Sequence, residues 1–233
     1  MVPFYADAKR KHRYDCDAKI AKAFENYQLG KYSKVKTVLE EAKINCNGKP
    51  NMDSVYFHLG MSYLKTKMYI EARSELERVV SDYPDSPLFF EAKFRAATAV
   101  YLQAHPSNRD QKETIEAVDL FRNILEEYPS CPVSDSVTYY LNTAIDKLAE
   151  KEYDNARFYE KQGQYESAVV YYGTFVKQYP DSKYIDQAKI TMAELLVKLE
   201  RKSEAADIIT DLVENSKNSM VVTKAKDLQK KVQ

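Results

Sequence analysis

The chain has 233 residues, of which 44% are hydrophobic, enough to bury a sizeable core in one or two domains. Its 35 basic and 35 acidic side chains cancel, which argues against a nucleic-acid binder, because that needs an excess of lysine and arginine to displace counterions. No apolar run approaches the ~20 residues a helix needs to cross a bilayer, and five glycines with eight prolines favour a helical chain.

Residues 1–14 lack the apolar core of a signal peptide. Their basic run, within AKRKHRYD, is read as part of a solvated N-terminal tail, too short to act as a phosphate or membrane patch. From Asp15 onward the chain repeats itself. The first copy, AFENYQLGKYSKVKTVLEEA, carries Ala23, Gly30, Tyr32, Val35 and Leu39, with Pro50 standing in for a closing proline. The second copy gives the template in full: Tyr56, Leu59-Gly60, Tyr63, Ala72, Leu76 and Pro84. These are the offsets of the 34-residue tetratricopeptide pattern, with Tyr replacing Trp and Leu replacing Phe. Small residues at Gly60 and Ala72 let two antiparallel helices cross closely, while Tyr63 and Leu76 fill the groove beside the crossing. The proline of DYPDSPLF cannot continue a helix, and Asp85-Ser86 can cap the next one. The same corner returns as EYPSCPV and QYPDSKY. A catalytic loop is built once, so a corner written three times is read as a hinge between helical hairpins.

In the third copy Ala97, Ala117, Phe121 and Pro129 fall on the template, with HPSNRDQK, His105 to Lys112, inserted between its helices. Pro84 to Pro129 is 45 residues, and the insertion absorbs most of the excess over the repeat period. The stretch VSDSVTYYLNTAIDKLAEK then contains no glycine or proline and keeps an apolar stripe at Val137, Leu141, Ala144, Ile145 and Leu148. It predicts one long helix over 134–162, of roughly 43 Å at 1.5 Å per residue, with two consecutive helices as the alternative. This leads into the fourth copy, with Ala156, Tyr159, Gly163, Tyr165, Ala168, Tyr172 and Pro180. Ala193, Ala205 and Ile209 mark a fifth, and the amphipathic MVVTKAKDLQKKV suits a capping helix. The expected fold is therefore all-α: an α-solenoid of about five tetratricopeptide repeats with one extended helix and a C-terminal capping helix. The expected division is a tail over 1–14, repeats one to three over 15–130 with the insertion at 105–112, the long helix and repeat four over 131–182, and repeat five with the cap over 183–233.

In such a stack the first helix of each hairpin lines one face, and its inward side chains outside the small positions can touch an extended peptide. Counted from the template, these are Ile20, Phe24 and Tyr27 in copy one, Phe57, Met61 and Leu64 in copy two, and Phe94, Thr98 and Tyr101 in copy three. The strip is aromatic and apolar. An acidic ligand would need several Lys or Arg there, and only Lys65 lies nearby. The same helical spacing also fits core positions. Cys16 precedes the first helix of copy one and Cys46 ends its second, so antiparallel pairing makes a Cys16–Cys46 disulfide sterically possible; two partly buried thiols are the alternative. Cys131 sits in a hinge, and the cysteine spacings fit no zinc signature. His12, His58 and His105 are scattered, and no GxGxxG, Walker or GxSxG sequence occurs. No catalytic residue, metal ligand or cofactor is assigned.

The run KLAEKEYDNARFYEKQGQYESAVVYYGTFVKQYPDSKY resembles the BamD family, the lipoprotein component of the bacterial outer-membrane β-barrel assembly machinery. The markers are Leu148-Ala149, Lys151-Glu152-Tyr153, Ala156, Tyr159, Gly163 and Tyr179-Pro180-Asp181, together with the long helix and the five repeats, over roughly Asp15 to Ser216. Two departures stand out: Lys147 occupies the place of an arginine, and no lipid-bearing cysteine precedes Val2. The resemblance implies a non-catalytic scaffold on the periplasmic face of the outer membrane. Its N-terminal repeats would receive C-terminal segments of unfolded outer-membrane proteins, and its C-terminal repeats would dock the barrel-forming subunit BamA. Other accessory lipoproteins are further expected partners. Membrane contact is expected only through a lipid anchor outside this sequence, and no nucleic acid is expected. The alternative is another tetratricopeptide adaptor, binding peptides in a different cell-envelope complex or in the cytosol.

Overall fold

The computed structural model describes residues 15–232, so the basic tail and its expected role lie outside the described residues. Among the described residues there are eleven α-helices and no strand. They pair as the repeats predict: α1 (Cys16–Gln28) with α2 (Tyr32–Asn45), α3 (Met52–Lys65) with α4 (Tyr69–Asp82), and α5 (Phe89–Gln103) with α6 (Lys112–Glu127). α7 (Ser134–Lys161) follows with α8 (Tyr165–Gln178), then α9 (Ile185–Lys198) with α10 (Lys202–Asn215), and finally α11 (Ser219–Val232). The long segment is one helix of 28 residues. The fold is all-α and of the tetratricopeptide-repeat class.

Each hairpin closes on a small residue facing a large one. Ala23 with Leu39, Ala97 with Phe121, Ala156 with Tyr172 and Ala193 with Ile209 are all buried. At Gly60 the approach is tightest: a Cβ there would lie 2.6 Å from Leu76 Cγ and 3.2 Å from the Ala72 carbonyl oxygen. No side chain fits that space, so the glycine is a packing requirement of the α3–α4 crossing. The turn inside each hairpin is shared as well. One residue in the left-handed region reverses the chain in repeats one, two, four and five: Gly30 (φ 70°), Lys67 (61°), Gly163 (73°) and Glu200 (61°). The amide of the following residue then returns to the carbonyl of Asn26, Tyr63, Tyr159 or Leu196 at 2.9–3.0 Å, which satisfies the open end of the first helix.

The three Tyr-Pro corners are one structure. Tyr83 and Tyr179 end their helices in nearly the same backbone conformation, φ −133°, ψ 59° and φ −129°, ψ 59°. The third residue on donates its amide to each tyrosine carbonyl: Ser86 to Tyr83, Cys131 to Tyr128 and Ser182 to Tyr179, at 3.0–3.1 Å. Ser86 Oγ accepts from the Leu88 amide and Ser182 Oγ from the Tyr184 amide, so these hydroxyls cap the approach to the next helix. Cys131 takes the serine position in the middle corner, where it is buried and unpaired.

The described residues divide into two compact units. One comprises the chain up to Gln103 with Asp119–Thr138, the other Ala104–Val118 with Tyr139 onward. The first has a core around Ala23, Val35, Leu39, Val55, Leu59 and Leu76. At its start Cys16 and Cys46 face each other with Cα atoms 5.7 Å apart and Sγ atoms at 2.14 Å, spacings that suit a disulfide. The second unit is centred on Tyr153, Tyr172, Phe175 and Leu196, with Tyr153 stacked on Tyr184 at 4.7 Å. It also holds the connection over 104–111. Gln111 is 3% exposed, and its amide nitrogen faces the carbonyls of His105, Pro106, Arg109 and Asp110 at 2.7–3.3 Å. Lys151 Nζ donates to the Arg109 carbonyl at 2.6 Å. Lys147 reaches the Ala104 carbonyl at 3.4 Å, and burial pulls its ammonium below the usual lysine range.

Candidate peptide groove

The nine side chains counted onto the peptide-facing strip all belong to the first unit and are carried by α1, α3 and α5. α3 packs against both α1 and α5, so the three helices form a continuous surface. Six of the nine are partly exposed: Phe24, Tyr27, Phe57, Met61, Leu64 and Tyr101. The other three turn inward and leave the strip. Ile20 joins the core beside Cys16 and Ala23. Phe94 packs on Phe121 with ring centroids 6.3 Å apart, and the Thr98 hydroxyl is used up on the Phe94 carbonyl at 2.9 Å. The physical reason is angular. In α5 every residue from Ala96 to Val100 is buried, so this helix is enclosed over most of its circumference and offers a narrower outer face than α1 or α3.

At the α1–α3 junction the aromatic rings converge on His58. Its imidazole lies 4.3 Å from the Phe24 ring, and the Tyr27 and Phe57 rings meet it edge-on at 5.0 and 5.6 Å. His58 Nδ1 contacts the Ser54 carbonyl at 2.8 Å, which assigns the proton to Nδ1 in the neutral ring. Burial pushes the imidazole below its ordinary value, with the Ser54 hydrogen bond opposing. The Tyr27 phenol is raised, chiefly by burial, and the nearby Arg95 charge opposes that rise. Arg95 pairs with Glu91 at 2.7 Å and lies over the Phe94 ring at 4.7 Å. The surface is thus an aromatic and aliphatic strip with Arg95 at its border, suited to an extended segment rich in apolar side chains. His58 and Arg95 were not singled out from the sequence. A histidine without a second ligand one turn away signals nothing, and Glu91–Arg95 reads as an ordinary surface ion pair.

Among the described residues no group of His, Cys, Asp and Glu could hold a metal ion. No described helix is long and apolar enough to cross a membrane. Elsewhere in the same unit the second helices carry polar contacts instead. Lys43 of α2 pairs with Glu75 of α4, and the Tyr63 hydroxyl donates to Glu40 at 2.6 Å. Burial first and then Glu40 hold that phenol far above its usual range.

The chain is 25% identical over 146 residues to the outer membrane protein assembly factor BamD of Caulobacter vibrioides, covering 63% of this chain and 48% of that protein. It is 26% identical over 119 residues to the BamD of Neisseria gonorrhoeae, covering 51% and 45%. The aligned part is therefore about half the length of these curated relatives. Among solved structures, the P58(IPK) tetratricopeptide domain is 15% identical with a TM-score of 0.47, covering 93% of this chain and 55% of that one. A thermophilic tetratricopeptide protein of Thermus thermophilus is 16% identical with a TM-score of 0.39, covering 91% and 98%. The profile of the YfiO outer membrane lipoproteins matches residues 17–210, from the first turn of α1 into α10. The chain belongs to the YfiO outer membrane lipoprotein family.

Proposed function

We propose that this protein is a non-catalytic scaffold in the assembly of outer-membrane β-barrel proteins. Its N-terminal repeats receive C-terminal segments of unfolded barrel proteins, and its C-terminal repeats dock the barrel-forming subunit BamA. The observation that carries the reading is the family match over 17–210, supported by curated relatives named as outer membrane protein assembly factors. The partly exposed strip of Phe24, Tyr27, Phe57, Met61, Leu64 and Tyr101 supplies a surface of fitting chemistry. An extended segment ending in an aromatic residue would lay its alternate apolar side chains along that strip. The location that follows is the periplasmic face of the outer membrane, with other accessory lipoproteins as further partners.

The test is fluorescence polarisation with a labelled peptide that ends in an aromatic residue and copies the last strand of an outer-membrane protein. Replacing Phe57 and Tyr101 together with alanine should weaken binding by at least about tenfold with little change in helical content. Unchanged folding together with unchanged affinity would remove the strip from the ligand site.

A further inference from the structure

A groove of about 380 Å³ opens on the second unit between α8 and α10, floored by α9. Its apolar lining comes from Val176 of α8, Met192 of α9 and Ile208 of α10, all partly exposed. The fourth apolar position is Gly173, in the interior of α8.

The fold does not account for this glycine. A mid-helix glycine is a poorer helix former than alanine and needs a compensating reason. Gly60 has one, the Leu76 side chain 2.6 Å from where its Cβ would stand. At Gly173 the backbone is helical, and a Cβ would meet only Met192 Cε at 3.5 Å, an ordinary van der Waals contact. What a side chain would take away is the space above α9.

The rim is polar and of opposite sign on its two sides. Lys177 stands on the α8 side and Asp207 on the α10 side, both exposed, and neither has a partner among the described residues. Between them Lys189 of α9 and Asp211 of α10 neutralise each other at 2.6 Å, so the charges left over are one cation and one anion flanking an apolar floor.

We propose that Gly173 serves recognition rather than packing: it holds open a groove in which the barrel-forming subunit seats one apolar side chain, with an acidic neighbour on Lys177 and a basic neighbour on Asp207. This rests on the reading that the C-terminal repeats dock that subunit, and it assigns the contact. The occupant follows from complementarity. An apolar side chain removes the exposed floor from water, and flanking residues of the stated signs answer the two unpaired charges.

The experiment uses the whole chain and, as probe, the purified periplasmic domains of the cognate barrel-forming subunit, with affinity measured by isothermal titration calorimetry and stability by thermal melting. Gly173→Ala should raise the melting temperature or leave it unchanged. Gly173→Leu should fill the groove and weaken binding by about thirtyfold or more. Lys177→Glu combined with Asp207→Lys changes only exposed side chains and should weaken binding by about three- to tenfold, mainly through a slower association rate. If Gly173→Leu fails to fold, this double variant decides alone. Wild-type binding that both variants keep within a factor of about two overturns the groove and leaves the docking function standing. A wild-type chain that does not bind the domains overturns both.

Discussion

The crossings of α3 with α4 and of α7 with α8 occupy the same register, with the small residue sixteen positions before the large one, yet they are filled differently. In the first, Gly60 faces Leu76 and leaves no room for a methyl group. In the second, Ala156 faces the much larger Tyr172, and both are fully buried. The tyrosine then reaches past the crossing, where its hydroxyl donates to Glu160 at 2.6 Å. Burial first, and that hydrogen bond second, keep the phenol far above its usual range and therefore protonated. The lesson is that the template fixes where two helices touch but not how the contact volume is shared. A substitution at one position has to be judged with its opposite number.

The largest way to break the comparison is at Tyr172. Tyr172→Ala should cost about 3–5 kcal/mol in chemical denaturation, since it opens a cavity among Tyr153, Phe175 and Ala156 and strips Glu160 of its donor. Leu76→Ala should fall at or below the middle of that range, because less volume is lost and no polar group is stranded. Gly60→Ala comes next, at about 1–3 kcal/mol, despite alanine being the better helix former, because the added methyl collides with Leu76. A neutral result there would mean that α3 and α4 can separate freely. A smaller effect sharpens the comparison at the hairpin turns. Lys67 adopts φ 61° where repeat four has Gly163, so Lys67→Gly should stabilise by up to about 1 kcal/mol. The reverse exchange, Gly163→Lys, should destabilise by a similar amount.

The smallest expected effect is a difference in pH response. His58 of α3 has Asp154 as its counterpart in α7, which is exposed and paired with Arg157. Because burial lowers the His58 pKa from 6.5, the folded chain favours the neutral ring. Above pH 6.5 both folded and unfolded forms are neutral there and the contribution is complete. As the pH falls below 6.5 the unfolded chain takes up the proton first, and stability is lost. Melting temperatures at about pH 7.5 and 5.5 should therefore drop further in the wild type than in His58→Gln. Equal drops would mean that the ring is not held neutral by its aromatic neighbours.

Much of this architecture is legible in residue size. The small–large pairs and the Tyr-Pro corners recur because steric fit admits few residue types, so the five hairpins, the single long helix and the terminal cap follow from the amino-acid pattern. The turns of repeats two and five are legible only through their register, since Lys67 and Glu200 give no sign of left-handed backbone while Gly30 and Gly163 do. The candidate groove is less legible. A periodicity of 3.6 residues names a face but not how far the neighbouring helices close over it, so Ile20, Phe94 and Thr98 fall inside the core while Phe24, Tyr27 and Tyr101 of the same helices stay partly exposed. His58 and Arg95 acquire meaning only from rings and charges on other helices, which no local spacing encodes. Gly173 is the inverse case: it matters for what it leaves empty, and an unfilled volume has no signature in a string of letters.

The connection over 104–111 has a consequence for motion. Four of its main-chain carbonyls share the single amide of Gln111, and a lysine from α7 holds a fifth contact. Ordering a surface segment ordinarily costs about 1–2 kcal/mol per residue in lost freedom, and here that ordering is complete once the hairpin has formed. A protein landing on this segment would meet a stiff projection with little entropy left to surrender. Gln111→Ala would return the segment to rapid fluctuation, visible as a local gain in proteolytic cleavage with the helices on either side still intact.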